Sequence, residues 1–109
     1  MHELAITQQI VDLVAERAGR GRVRRVVVEI GRLTAVLPDA VRSCFDLCAE
    51  GTAVAGAELE VVETPGRARC RACGETLTLD RPFGWCRCGG SDLDWLGGDE
   101  LKITRIEVT

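Results

Sequence analysis

The residues best suited to chemistry are six cysteines, four of which form two close pairs. Cys70 and Cys73 make a CxxC pair, and Cys86 and Cys88 make a CxC pair after a spacer of hairpin length. Two pairs of thiolates at this spacing are typical of a tetrahedral zinc site with four sulfur ligands. The sequence therefore predicts that these four cysteines hold zinc.

The CxC pair needs a bent backbone to bring both sulfurs together, because alternate residues of a straight strand only share a face. Gly89 and Gly90 follow this pair and are expected to supply the bend. Three arginines next to the thiolates are expected to favour their deprotonation, namely Arg69, Arg71 and Arg87. Disulfides or plain buried thiols are the alternatives. A redox dithiol at Cys70 and Cys73 is less favoured, since redox CxxC pairs usually begin a helix.

Cys44 and Cys48 are four residues apart, on the apolar stripe of a predicted helix. Such a pair can chelate a metal, but a buried free cysteine usually behaves as a small hydrophobic residue. We therefore interpret them as core residues.

The single histidine, His2, directly follows Met1. Its imidazole, its backbone amide and the terminal amine of Met1 can form adjacent chelate rings, to which Glu3 can add a carboxylate. Nitrogen and oxygen donors in square-planar or tetragonal geometry select Ni(II) or Cu(II). A chance histidine, a cloning remnant or a solvent-exposed residue at a helix start remains the alternative.

The hydrophobic periodicity predicts two helices and three strands around these residues. The helices are expected over 3–18 and from Pro38 to before Gly51, and the strands over 23–30, around 58–61 and over 101–108. A phase shift between Ile103 and Ile106 indicates a bulge in the last strand. The first helix is expected to bury Leu4, Ile10, Val11, Leu13, Val14 and Ala18. The second is expected to bury Leu37, Val41, Cys44, Phe45 and Cys48.

The composition changes at Thr64-Pro65-Gly66, after which few aliphatic residues occur until Trp95. Such a segment cannot offset its conformational entropy by burial alone, which supports a metal crosslink. We therefore predict an α+β fold, with two helices packed on a three-stranded sheet and an inserted zinc-ribbon-like four-cysteine module. The expected domains are a nickel-binding one of residues 1–65 with 97–109, and a zinc module of residues 66–96.

Composition also excludes several function classes. The net charge is −3, and neither a long apolar run nor a signal-like start occurs. We therefore expect a cytoplasmic protein that binds neither membrane nor nucleic acid. No catalytic constellation is visible, so we expect no enzyme. A zinc-ribbon adaptor for nucleic acid or protein is the alternative function, since the module has several arginines and two tryptophans that could stack, Trp85 and Trp95.

The ordered set of segments resembles the HypA family of hydrogenase maturation nickel-incorporation proteins, over essentially the whole chain. The set is Met-His-Glu at the start, Val-Val-Val-Glu-Ile-Gly-Arg-Leu at 26–33, Pro38-Asp39, Cys44-Phe45-Asp46, the paired cysteines and the final segment 103–108. The resemblance implies a nickel metallochaperone that binds Ni(II) through Met1, His2 and Glu3 and Zn(II) through the four paired cysteines.

The resemblance also implies partners, namely the GTPase HypB and the precursor of the NiFe-hydrogenase large subunit, with a link to urease in some members. Both monomers and homodimers occur in the family. This chain departs from the family pattern at Cys86 and Cys88, where CxxC is usual. Some members add a nickel-site carboxylate after the first strand, but the aligned residue here is Leu37, and the role is not transferred to Asp39.

Overall fold

The computed structural model describes residues 2–109, with the side chain of His2 left out of the description. The helices are α1 (His2–Ala18) and α2 (Pro38–Ala49), with a short 3-10 segment at Arg32–Thr34. The strands are β1 (Val23–Gly31), β2 (Glu58–Thr64), β3 (Gly66–Cys70), β4 (Thr76–Leu79), β5 (Leu93–Gly97) and β6 (Leu101–Val108). They form two three-stranded sheets, ordered β2-β1-β6 and β4-β3-β5. The α+β prediction is confirmed.

The first sheet and both helices share one hydrophobic core. Strand β1 lies in the centre, parallel to β2 and antiparallel to β6. Its alternate residues Val26, Val28 and Ile30 are fully buried, as period-two patterning predicts. Helix α1 ends at Gly19, whose φ of +58° is the left-handed conformation that glycine adopts readily. No helix in residues 2–109 is both long and apolar enough to cross a membrane.

Three predicted core leucines are exposed instead, namely Leu4, Leu13 and Leu37. Leu13 lies about 100° around the helix from buried Val14, so α1 directs it away from the core. Leu4 precedes Ile6, where the packing of α1 on the core begins. Leu37 is the extended residue before α2 and therefore does not share that helix's stripe.

The predicted bulge in the last strand is confirmed. Val27 pairs with Arg105 and Val28 with Ile103, so Thr104 is the extra residue on β6. Its Oγ1 donates a hydrogen bond to the carbonyl of Val27 at 3.3 Å. The bulge explains why the apolar phase of this strand changes between its two isoleucines.

The two sheets meet where backbone segments approach too closely for any side chain. A Cβ added to Gly31 would lie 2.1 Å from the carbonyl oxygen of Gly98, and one on Gly98 would lie 2.3 Å from that of Pro65. The N–H of Leu33 also donates to Gly98 O at 2.9 Å. Arg32 spans the same junction and contacts Asp80, at the end of β4, at 3.0 Å. These contacts position the second sheet on the first.

Candidate metal centre

The structure brings the four paired cysteines together at one end of the second sheet. Cys70 ends β3, Cys73 lies in the turn after it, and Cys86 and Cys88 lie in the loop before β5. Their sulfur atoms all lie within 4.8 Å of one another. The Sγ atoms of Cys70 and Cys88 are 3.6 Å apart, and those of Cys73 and Cys86 are 3.5 Å apart. Four thiolates around one zinc ion place their sulfurs about 3.8 Å apart, so the cluster fits zinc.

The first pair is held by a tight backbone turn. The N–H of Gly74 donates to the carbonyl of Cys70 at 2.7 Å, and the N–H of Cys70 donates to that of Glu75 at 2.8 Å. Gly74 adopts a φ of +79°, which glycine tolerates without steric cost. The chain therefore turns back on itself, which places Cys73 beside Cys70.

The second pair is bent by the two glycines that follow it. The N–H of Gly89 donates to the carbonyl of Cys86 at 2.9 Å, and the N–H of Cys86 donates to that of Gly90 at 2.8 Å. Gly89 has a φ of +90°. A Cβ on Gly90 would lie 3.1 Å from Cys70 Sγ and 3.3 Å from Cys88 Sγ. Glycine at this position thus leaves room for the sulfurs, and the CxC spacing reaches the same cluster as CxxC.

Backbone N–H groups polarise the thiols. The N–H of Cys73, followed by that of Ala72, lowers the pKa of Cys70 to about 7 despite its burial. The N–H of Glu75 acts in the same way on Cys73, but hydrogen bonding to Cys86 and the other thiols outweighs it and raises the pKa of Cys73 to about 12. Binding of a divalent cation by the four sulfurs would release the protons that they carry.

Arg71 and Arg87 were expected to favour deprotonation of the cysteines, but they pair with carboxylates instead. Arg71 Nη2 contacts Asp94 Oδ1 at 2.6 Å, and Arg87 Nη2 contacts Glu75 Oε1 at 2.9 Å. Arg71 accordingly lowers the pKa of Asp94. These guanidinium groups stabilise the loops through carboxylates, whereas the sulfurs depend on backbone donors.

The geometry rules out disulfides among the cysteines. All six thiols are free, and sulfur separations of 3.5 Å and more exceed the bond length of a disulfide, about 2.05 Å. Cys48 belongs to the hydrophobic core, with Cys44 packed against it, as the sequence predicts. Among the described side chains, the four paired cysteines are the only group of three or more possible metal ligands that lie this close together.

At the amino terminus, Met1 and the His2 side chain lie outside the described residues, but Glu3 is described. The N–H of Leu37 donates to Glu3 Oε2 at 3.0 Å, and this bond is the largest cause that lowers the pKa of the Glu3 carboxyl. The first turn of α1 is thereby tied to the segment before α2. The carboxylate of Asp39 contacts Arg42 of its own helix at 2.5 Å.

Comparison with known proteins places this arrangement in a family. A family model described as "Hydrogenase/urease nickel incorporation, metallochaperone, hypA" matches residues 1–108. The chain belongs to the HypA family. A hydrogenase maturation factor HypA from Trichormus variabilis is 55% identical over 108 residues, covering 99% of this chain and 96% of the relative. One from Geotalea uraniireducens is 39% identical, covering 99% of both.

The fold of this HypA-family chain matches that of a solved relative. The solution structure of the Ni metallochaperone HypA from Helicobacter pylori aligns with a TM-score of 0.67 at 22% identity, covering 97% of this chain and 96% of that one. At this identity the match concerns the fold alone.

The sequence of this HypA-family chain did not predict that the backbone amide of Leu37 positions the Glu3 carboxylate. A backbone donor leaves no trace in residue type, because every residue except proline carries it. Pro38 gives the nearest signal: it begins α2 and leaves Leu37 extended, with its N–H outside the helix.

Proposed function

We propose that this chain carries Ni(II) at its amino terminus and delivers it during maturation of NiFe-hydrogenase, while the four paired cysteines keep zinc. The observation that carries the proposal is the match to the nickel-incorporation family over residues 1–108. The sulfur cluster supports the zinc part, because its geometry fits that ion.

The proposed nickel ligands are the terminal amine of Met1, the imidazole and backbone amide of His2, and the carboxylate of Glu3. The first N–H groups of any helix lack an acceptor within the helix, so an amide nitrogen at the start of α1 can lose its proton and coordinate Ni(II) without the loss of a helical hydrogen bond. The bond from Leu37 holds the Glu3 carboxylate in place and favours its ionised form. Thr7 adds rigidity, since its Oγ1 donates to the Glu3 carbonyl at 2.5 Å.

The chemistry of the donor atoms would direct nickel and zinc to different sites. Nitrogen and oxygen donors in tetragonal geometry suit nickel, whereas a closed set of thiolates suits zinc. Ligands at a chain terminus can be exchanged one at a time onto an acceptor protein, as a carrier requires. The four thiolates would instead retain their ion.

Zinc, when bound, supplies a crosslink between the turn at Cys70 and Cys73 and the loop at Cys86 and Cys88. With four protein ligands no coordination position remains for a substrate, so this ion would be structural. We propose that the chain is a carrier and not an enzyme. We also propose two functional units, a nickel-binding one of residues 1–65 with 97–109 and the zinc module of residues 66–96.

The proposed partners follow from the family. They are the GTPase HypB and the precursor of the NiFe-hydrogenase large subunit, and the family description also includes urease. A cytoplasmic location suits a maturation factor whose free thiols hold metal, since reducing conditions keep thiols available.

Two variants test the nickel site. His2→Ala removes the single imidazole of the chain. One glycine added before Met1 keeps that imidazole but moves the terminal amine one residue further away. We expect both variants to lose nickel binding and to retain one zinc per chain, measured by calorimetry and by metal analysis of untagged protein.

One glycine added after Thr109 is the matched control, and it should leave both metals unchanged. Glu3→Gln should weaken nickel binding without altering zinc content. Nickel affinity that is unchanged in both the His2→Ala and the extended variant would refute the site.

A further inference from the structure

One cleft on the zinc module holds most of the aromatic surface of this chain. The sequence contains two tryptophans, two phenylalanines and no tyrosine. Three of these four side chains, Phe83, Trp85 and Trp95, line the cleft, and the fourth, Phe45, is buried in the core. Trp85 is 72% exposed and Phe83 62%. Large aromatic side chains gathered on a surface, in a chain that uses so few, indicate a binding site.

The cleft lies between the two segments that flank Cys86 and Cys88 in the chain. Its volume is about 390 Å³, and its walls are residues 82–85, after β4, and residues 91–93 with Trp95, at the start of β5. Trp85 directly precedes the buried Cys86, so a metal ion on the cysteines would also fix this wall. The aromatic surface is therefore a prearranged one when zinc is bound.

The cleft carries a single charge. Asp92 is the only ionisable residue among those that line it, and its side chain is 74% exposed. Arg71 Nη1 lies 3.7 Å from Asp92 Oδ1, which is a long contact for an ion pair. The same guanidinium group binds Asp94 Oδ1 more closely, at 2.6 Å. The Asp92 carboxylate therefore has only a long contact with Arg71, which a second guanidinium group entering the cleft could replace.

We propose that this cleft binds an exposed segment of a partner protein that presents an arginine side chain between apolar residues. A guanidinium group can stack on a tryptophan face while it donates to a carboxylate, which matches Trp85, Trp95 and Asp92. The apolar neighbours of that arginine would cover Phe83 and Leu93. The proposal goes beyond the nickel function and needs no nickel.

The charges distinguish this partner from a nucleic acid. Stacked bases would bring phosphates that need neighbouring cations. Arg71 and Arg87 are paired with carboxylates, and Arg32 with Asp80. Among the described arginines of the module, Arg67, Arg69 and Arg81 form no ion pair, but none of the three lines the cleft. The charge inside the cleft is negative, as is the net charge of −3. An arginine-bearing peptide is complementary to this surface, whereas a phosphate backbone is not.

The test uses the two tryptophans as reporters, since both lie in the cleft and no others exist. The probe is an acetylated and amidated Pro-Leu-Arg-Pro-Leu peptide, added to the zinc-loaded, nickel-free full chain. We expect saturable shifts of both indole N–H resonances. The same peptide with neutral citrulline in place of arginine should bind about tenfold more weakly.

Variants assign the contacts. Trp85→Ala should abolish binding of the arginine peptide, and Asp92→Asn should lower its affinity to that of the citrulline peptide. Leu47→Ala is the matched control, because Leu47 is exposed on α2 and lies outside the cleft. Zinc content and the amide spectrum establish that each variant is folded.

Unshifted indole resonances at millimolar arginine peptide would overturn the proposal, and so would equal binding of the two peptides. A decathymidylate that shifts the indoles, with an affinity that falls steeply with salt, would overturn it in favour of nucleic acid. None of these outcomes bears on the variants at His2, so this proposal and the nickel site can fail separately.

Discussion

The two sheets of this chain are alike in strand number but differ in what stabilises them. The first packs against two helices around thirteen buried core residues, none of which lies in residues 66–96. Within 66–96 the buried residues are Gly66, Ala68, Cys70 and Cys86. Two of these four are proposed zinc ligands, so the second sheet has almost no hydrophobic core of its own.

The difference shows that two sheets with the same number of strands can be stabilised by different interactions. A buried valine or isoleucine contributes roughly 1.5–3 kcal/mol, and many of them stabilise the first sheet. A structural zinc ion contributes on the order of 10 kcal/mol in comparable small modules. Four sulfurs can therefore substitute for the core that this sheet lacks.

The largest expected effect is that of zinc removal. A chelator, or Cys70→Ser, should collapse the amide dispersion of residues 66–96, since a loss of about 10 kcal/mol exceeds what their burial can offset. The first sheet and its helices should keep their resonances. Heteronuclear amide spectra before and after chelation measure both parts at once.

Cys44→Ala provides the control, because that thiol lies on α2, packs against the hydrophobic core and is not part of the sulfur cluster. It should retain full zinc and an unchanged spectrum for 66–96. A module that stays dispersed without metal would show that burial suffices for both sheets, and the contrast between them would fail.

A smaller effect is expected from Phe45→Ala, which truncates a core side chain under the first sheet and leaves the four paired cysteines intact. Phe45 is 2% exposed in the shared core, so its truncation should lower the free energy of unfolding by about 3–5 kcal/mol. Zinc content should stay the same. Phe83→Ala makes the same chemical change at an exposed position and should cost under about 0.5 kcal/mol. Denaturant unfolding that finds equal losses in both variants would contradict the location of the core.

The elements of the first sheet and the sulfur cluster follow from local patterns, which is why they could be predicted. Val26, Val28 and Ile30 alternate along β1, and the close spacing within the two cysteine pairs predicts that their sulfurs come together. Even the bulge at Thr104 left a phase shift in the sequence.

What could not be predicted depends on contacts between distant segments. The approach of Gly31 to Gly98 is set by how the two sheets cross, and a glycine looks alike in a turn and in such a crossing. The exposure of Leu13 and Leu37 depends on where the core ends, which periodicity along one helix does not encode. The bond from the Leu37 amide to Glu3 joins residues 34 positions apart and is invisible in side-chain type.

The smallest expected effect concerns the hydrogen bond from the Leu37 amide to Glu3, which is one of the proposed nickel ligands and belongs to the same unit as the first sheet. In the metal-free protein, the Glu3 carboxyl should titrate below its ordinary value of 4.5, chiefly because the Leu37 N–H stabilises the ionised form. A lowered pKa contributes stability that is present above 4.5 and is lost as the pH falls through the folded-state value. Leu37→Pro removes the donor and should raise this pKa, whereas Leu37→Ala keeps the N–H and should not. Carbon resonances of the Glu3 side chain give both midpoints, and equal midpoints in the two variants would show that the Leu37 amide does not hold this carboxylate.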